Sequence, residues 1–521
     1  MSPAYHQYVR LFVNQLKNPT NMLKNLHFIL LAVCAAFLIS CSDDEDILPG
    51  GEDIIETVGN TDRPKDNSGI QVFSDNRYYW QYDGIPLLLL GGAKEDNIFN
   101  FQEGLVQYLD QLEANGGNYI KNIMSSRTPG NVYPFLKTAD GLYDLNQWNP
   151  EYWDRLDRFL GLCAERDIVV QLIIWDLWDY FMTDASLGFG ENNKGWESNP
   201  FNPALNVNYT ATETGLATTI NYHPTARPSN HKFFKTVPNL ENIAMVRNYQ
   251  EAFVKKIMDT SLPYKNILYC INNDMGEDME WSKYWSSFIR NEATKIQKKI
   301  YITDMHRSSN LGSTEQNAIL TDRNHFDFFE ASQNNLNSGD EHYGRIISAR
   351  NRVRDNAVPF NNSKIYGGVE GFAGGVDESI QRYWKTIFAG SAATNFHKEG
   401  PRPNAFSLGF NEQGRAQIKH MRMFADAMNS FSPAPTNNLL SNRSENEAFC
   451  LSHQNNQYAV YFPNGGNVTL NLKQANGSYI MRWFDIVNGT WSAETEVQGA
   501  RDIELTTPGT GHWAVLLKRK I

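Results

Sequence analysis

Between Pro86 and Phe396 the chain alternates short, almost wholly apolar runs with longer stretches in which apolar residues recur every three or four positions. The first kind reads as strand buried on both faces, the second as helix packed by one face. NYIKNIMSS (118–126), IVVQLIIW (168–175) and NILYCIN (266–272) are the clearest runs. Pro86–Leu90, KIYIT (299–303), HFDFFEAS (325–332), KIYGG (364–368) and SAATNF (391–396) bring the set to eight. Asn149-Pro150 marks the start of one intervening helix, in which Trp153, Leu156, Phe159, Leu160 and Cys163 fall at helical spacing. Eight such units predict an α/β fold, a (β/α)8 TIM barrel over residues 70–432, entered through a short hairpin after Gly69.

Two stretches break this rhythm. Residues 181–238, rich in Asn, Pro, Gly and Thr, lack periodicity and follow the third strand, so they belong on the face where barrel active sites open. Trp196 and Tyr209 within them are read either as sugar-stacking rings or as residues that pack the loop. After Phe431-Ser432-Pro433-Ala434-Pro435 the pattern becomes FCLSHQ, YAVYFP, NVTLNL, YIMRWFD and HWAVLL, short strands separated by Gly and Asn turns. That predicts a small antiparallel β-sandwich over 433–521 whose task is to brace the barrel.

Upstream, Lys24 and a 13-residue apolar run, FILLAVCAAFLIS, form an export signal too short to span a bilayer comfortably. The run ends in Leu38-Ile39-Ser40-Cys41, which resembles a bacterial lipobox with Cys41 as the lipidated residue. The acidic Ser42-Asp43-Asp44-Glu45-Asp46 that follows resembles the export signal of surface lipoproteins. Residues 1–41 are therefore expected to be a lipoprotein signal, with 1–21 a start-site extension ahead of Met22, and 42–69 a polar flexible tether. The expected location is the outer membrane, facing the cell exterior, with the periplasmic face as the alternative and the lipid as the membrane contact.

Composition adds exclusions. Net charge is −11 with no long Lys/Arg block, which argues against nucleic acid as a partner. Hydrophobic residues make up 41% of the 521 positions, enough for a large core. Outside the signal, Cys163, Cys270 and Cys450 are isolated, which gives neither a disulfide framework nor zinc spacing. They read as small core residues, and no metal or cofactor is expected.

The candidate chemistry lies in two carboxylates. NILYCINND ends in Asp274, and KIYGGVEG carries Glu370. Glycoside hydrolysis needs one carboxyl group to protonate the leaving oxygen and a second to attack or stabilise the oxocarbenium-like centre. In a barrel, acids that follow two different strands converge on one face. Asp274 is read as general acid/base and Glu370 as nucleophile. Against this, Asp274 also suits a helix N-cap, with Glu277 its capping-box partner or itself the acid. Arg127, after strand two, is placed to orient Glu370. Trp175 and Trp178 are read either as a stacking platform with Asp176 on a hydroxyl or as core, and Gln333-Asn334-Asn335, which also suits a turn, and His397 lie at the ends of strands six and eight.

The segments GGAKEDNIF, GGNYIKNIMSSR, YDLNQWNPEYWDRLDRF, YCINND and RYWKTIFAGSAATNFHK, with the later FPNGG, WFDI and HWAVLL, resemble the apiosidase-like glycoside hydrolases and their C-terminal domain labelled as collagen-binding. The resemblance spans about 70–521. It implies Asp274 after strand four and Glu370 after strand seven as the catalytic pair, Asn273 on a sugar hydroxyl, and a retaining mechanism. At strand one GGAKEDN replaces the Asp-Thr-Ala-Trp of the apiosidases, so apiose itself is not implied. The expected function is a surface-anchored glycosidase acting on a plant- or algal-type polysaccharide or oligosaccharide. The alternative is a non-catalytic surface glycan-binding lipoprotein.

Overall fold

The computed structural model describes residues 65–101, 103–181, 195–220, 231–276, 278–399, 406–453 and 455–520. The expected signal, Cys41, most of the tether, and Glu277 lie outside the described residues. No helix among the described residues is long and apolar enough to cross a membrane.

Eight parallel strands form a closed ring: Leu89–Gly92, Tyr119–Ile123, Val169–Asp176, Ile267–Asn273, Ile302–Thr303, Phe329–Glu330, Phe360–Asn361 and Ala393–Phe396. Where the regular pairing lapses, single bonds carry it on, Asn118 N to Leu90 O, Asp327 N to Ile302 O and Ala392 N to Phe360 O. A helix follows each strand, from Leu105–Ala114 through Pro150–Ala164 to Glu412–Met428. The Asn149 side chain accepts from Glu151 N and Pro150 opens the helix, as the sequence indicates.

Two strands differ from expectation. Strand one begins at Leu89, because Ile85–Leu87 instead closes an antiparallel hairpin with Trp80–Tyr82 through Asp83 and Gly84, both at positive φ. Strand seven is Phe360–Asn361, and within Lys364–Gly368 only Ile365 makes a bridge, to Phe396. An asparagine gives no apolar signal for a buried strand, but inside the ring Asn361 accepts from Trp80 Nε1 at 2.9 Å and donates to Gln171 Oε1 at 3.1 Å. Paired polar groups are tolerated in such a core.

The hairpin closes the base of the barrel. Trp80 is fully buried there, edge-on to Tyr301 at 5.4 Å and to Phe328 at 5.3 Å. The chain enters on the same side, since Ile70 N donates to Lys265 O and Lys65 pairs with Asp167, both just ahead of barrel strands.

The C-terminal strands form an antiparallel sandwich. One sheet runs in the order Ala434–Pro435, Phe449–His453, Gln457–Phe462, Trp513–Arg519, Ser478–Asp485, Thr490–Trp491, with Thr495–Gln498 also on Ser478–Asp485. The other pairs Leu440–Ser441, Asn467–Asn471 and Asp502–Thr506. One face of the larger sheet packs on the last two barrel helices: Trp384 lies 5.8 Å from Tyr461, Phe388 5.6 Å from Tyr461, and Phe424 stacks on Trp491 at 5.6 Å. Aromatic pairs of this kind add to simple area burial, so barrel and sandwich share one apolar core. Cys163, Cys270 and Cys450 are free and buried, in keeping with their reading as core residues.

Candidate active site at the barrel mouth

Asp274 follows the last residue of strand four. Its backbone is left-handed, φ 60°, a conformation that short polar side chains tolerate better than others and that recurs at functional sites. The next helix, Met279–Lys295, is capped by Asp278, so Asp274 is not its N-cap. Asn272 fixes the strand end: its N and Nδ2 donate to Asp304 Oδ1 at 3.1 and 2.8 Å, and its Oδ1 accepts from Trp281 Nε1 at 3.0 Å.

The Asp274 side chain, 19% exposed, receives two donors on the same oxygen. Lys364 Nζ lies 2.5 Å from Oδ1, and Gln333 Nε2 also donates to it. Both of these bonds fall on Oδ1, and neither on Oδ2. Burial lowers the affinity of Lys364 for its proton, but the Asp274 carboxylate, Tyr366 and Asp96 outweigh it and raise the ammonium above its usual range. Lys364 is thus a fixed cation beneath Asp274.

Beside this pair lies a second charged centre. Asp96, in the loop after strand one, is bound by Lys121 at 2.6 Å, Arg127 at 2.9 Å and Lys398 at 2.9 Å, with His397 Nδ1 at 3.8 Å. Burial pushes the Asp96 carboxyl up, yet these neighbours hold it well below the carboxylate range. Burial takes the Lys121 ammonium down to about 8 against the pull of Asp96. His397 is held neutral by burial and by Lys121, and packs edge-on to Tyr366 at 5.1 Å. Arg127 also pairs with Asp176 and, at 3.5 Å, with Asp179, whose carboxyl burial raises.

The other expected site residues divide. Asn273 and Asp176 are buried and joined to each other, Nδ2 to Oδ1 at 2.7 Å, behind Arg127. Trp175 is fully buried among Trp281, Trp285, Phe233 and Phe253, so it is core and not a sugar platform. Asn334 is also packed inside, donating to His342 O at 2.8 Å, and its neighbour Gln333 is the one that reaches the mouth. Trp196 and Tyr209 pack their loop, donating to Ala217 O at 2.6 Å and Phe201 O at 2.7 Å. Glu370 is exposed, on a turn between Gly367 and Gly371, both at positive φ. Arg382 fastens that loop through Tyr366 O at 3.1 Å and Ala373 O at 2.6 Å.

Lys364, Lys121, Asp96 and Lys398 are not marked as site residues by the sequence, whereas Gln333 is, as part of Gln333-Asn334-Asn335. Lys121 carried the one usable signal, a lysine inside an apolar strand, which must find a partner. Among the described residues no group of three or more His, Cys, Asp or Glu is arranged to hold a metal ion.

Comparison with known proteins agrees with this architecture. Residues 434–518 match the family model described as "putative collagen-binding domain of a collagenase". A family 5 glycoside hydrolase from Bacteroides vulgatus superposes with a TM-score of 0.58 at 13% identity, over 87% of this chain and 94% of that one. A chain described as a glycoside hydrolase gives 0.58 at 13% identity, over 87% and 97%. An α-amylase from Geobacillus thermoleovorans gives 0.50 at 11% identity, over 83% and 99%. The chain has the fold of several glycoside hydrolase families. No curated protein matches its sequence.

Proposed function

We propose that this protein is a glycoside hydrolase held at the bacterial surface through lipidated Cys41, acting on a plant- or algal-type glycan. The observation that carries the reading is Asp274, a partly exposed carboxylate at the C-terminal end of strand four, fixed on one oxygen by Lys364 and Gln333. Active sites of this fold open at that end. Asp274 Oδ2 serves the leaving oxygen as acid and then base, and Glu370, carried by its glycine-flanked loop, is the second carboxylate. Retention requires the two carboxyl groups about 5–5.5 Å apart when substrate is bound. The resemblance to apiosidase-like enzymes supports this pairing.

A second reading, a glycan-binding protein without turnover, draws on the ion pair itself, because Lys364 occupies the carboxylate that the chemistry needs. Reducing-sugar release from a panel of plant and algal polysaccharides by wild type, Asp274→Asn and Glu370→Gln separates the two. Release by wild type alone supports hydrolysis at this pair. Release by all three removes both residues from the mechanism, and glycan retention without release selects the binding protein.

A further inference from the structure

Two cavities lie on the side of strands two and three. The smaller, about 30 Å³, touches Arg127 and Asp179 and is walled by Tyr133, Tyr180 and Phe201. The larger, about 520 Å³, lies along the antiparallel ribbon of Phe135–Lys137 and Tyr143–Trp148, with Glu197, Ser198 and Leu205 also lining it. Tyr133 lines both and is the wall they share, and the smaller one reaches Arg127 of the charged network that surrounds Asp96. Its volume is in the range of about 300–1,000 Å³ usual for small-ligand sites.

Its lining suits a sugar. The Tyr133 and Tyr143 rings lie 5.5 Å apart, and Lys137 Nζ sits 4.7 Å from the centre of the Tyr143 ring. Lys137, Asn149, Glu197 and Ser198 add polar groups to the same lining. A pyranose has apolar C–H faces that match aromatic walls and hydroxyl edges that match polar groups. Lys137 and Glu197 oppose each other in charge, so the lining has no net charge to select uronates.

We propose that this groove is a second carbohydrate subsite, which holds neutral sugar units of an extended glycan while another unit lies at Asp274. The proposal rests on the glycan-directed reading above, but not on turnover.

The test is affinity electrophoresis of the whole chain in detergent, through gels containing galactomannan, xyloglucan or arabinan, with polygalacturonate as the charged control. Cleavage of the same glycans is followed in parallel. Tyr133→Ala is expected to weaken retention by a neutral polysaccharide roughly tenfold, the effect of losing one aromatic contact. Tyr133→Phe should retain the glycan. Lys137→Ala, at an exposed strand position, supplies a weaker loss that remains readable if Tyr133→Ala fails to fold. Retention unchanged by Tyr133→Ala, or by Lys137→Ala where the first does not fold, overturns the subsite. So does preferential retention by polygalacturonate, or no retention by any gel. Tyr133-dependent retention without cleavage overturns the hydrolase reading and leaves the subsite standing.

Discussion

Lys364 and Asp274, ninety positions apart in sequence, meet at 2.5 Å at the mouth of the barrel. Lys364 is almost wholly covered, and Asp274 is the member that faces outward. Removing either partner leaves a charge without its counter-ion in a place where water reaches only one side. Lys364→Met and Asp274→Asn should each cost about 2–3 kcal/mol, and the double variant less than their sum, with a coupling of about 2 kcal/mol. Chemical denaturation of the four proteins measures this, and strict additivity would show that the pair contributes nothing.

Asp96 joins three cations. Asp96→Asn leaves Lys121 buried without its carboxylate and is expected to cost about 3–5 kcal/mol. The acid limb follows in sign: a carboxyl held below its unfolded value contributes stability that is complete above that value and is lost as pH falls below it. Thermal unfolding between pH 5 and 2 should show the wild type losing its advantage over Asp96→Asn at the acid end.

His231 gives a separate pH window. It is buried, with Nε2 2.8 Å from Tyr180 O and Nδ1 accepting from Phe233 N, and burial lowers its pKa from 6.5 to about 4. The unfolded chain takes up the proton first, so stability is full above pH 6.5 and falls as pH drops toward 4, by about 3 kcal/mol in all. The stability difference between wild type and His231→Gln, followed from pH 7 to 4, should shrink over this interval. A flat difference would contradict it.

Trp80 fills the base of the ring and donates to Asn361. Trp80→Ala should cost about 3–5 kcal/mol for the cavity, and more because an acceptor is left unpaired. Trp80→Phe, which restores most of the volume but not the donor, should recover most of the loss in a thermal unfolding series.

The sandwich covers Trp384, Phe388 and Phe424. A chain spanning 65–432 exposes all three to water and should aggregate or fail to accumulate, whereas one spanning 65–521 should stay in solution. Soluble yield on expression of the two forms decides it, and a soluble monomeric barrel would show that the shared core is dispensable.

The sequence disclosed the barrel because its strands two, three and four are long and buried on both faces, so periodicity alone marks them. Phe360–Asn361 escaped because a two-residue strand with an inward asparagine has no apolar run to show. The same limit applies to the site. Asp274 was visible as an acid at a strand end, but its partner Lys364 was read as the first residue of a strand, and only the ring geometry brings it inward. Trp175 misled for the opposite reason: a tryptophan beside a strand end looks like a platform, while the long loop that follows supplies Phe233 to bury it.

The Trp80 hairpin has an effect beyond closing the base. The described chain joins the barrel at that sealed end, opposite the face on which Asp274 lies. A molecule coming to the Asp274 face therefore meets neither the hairpin nor the entering strand of chain on its way in.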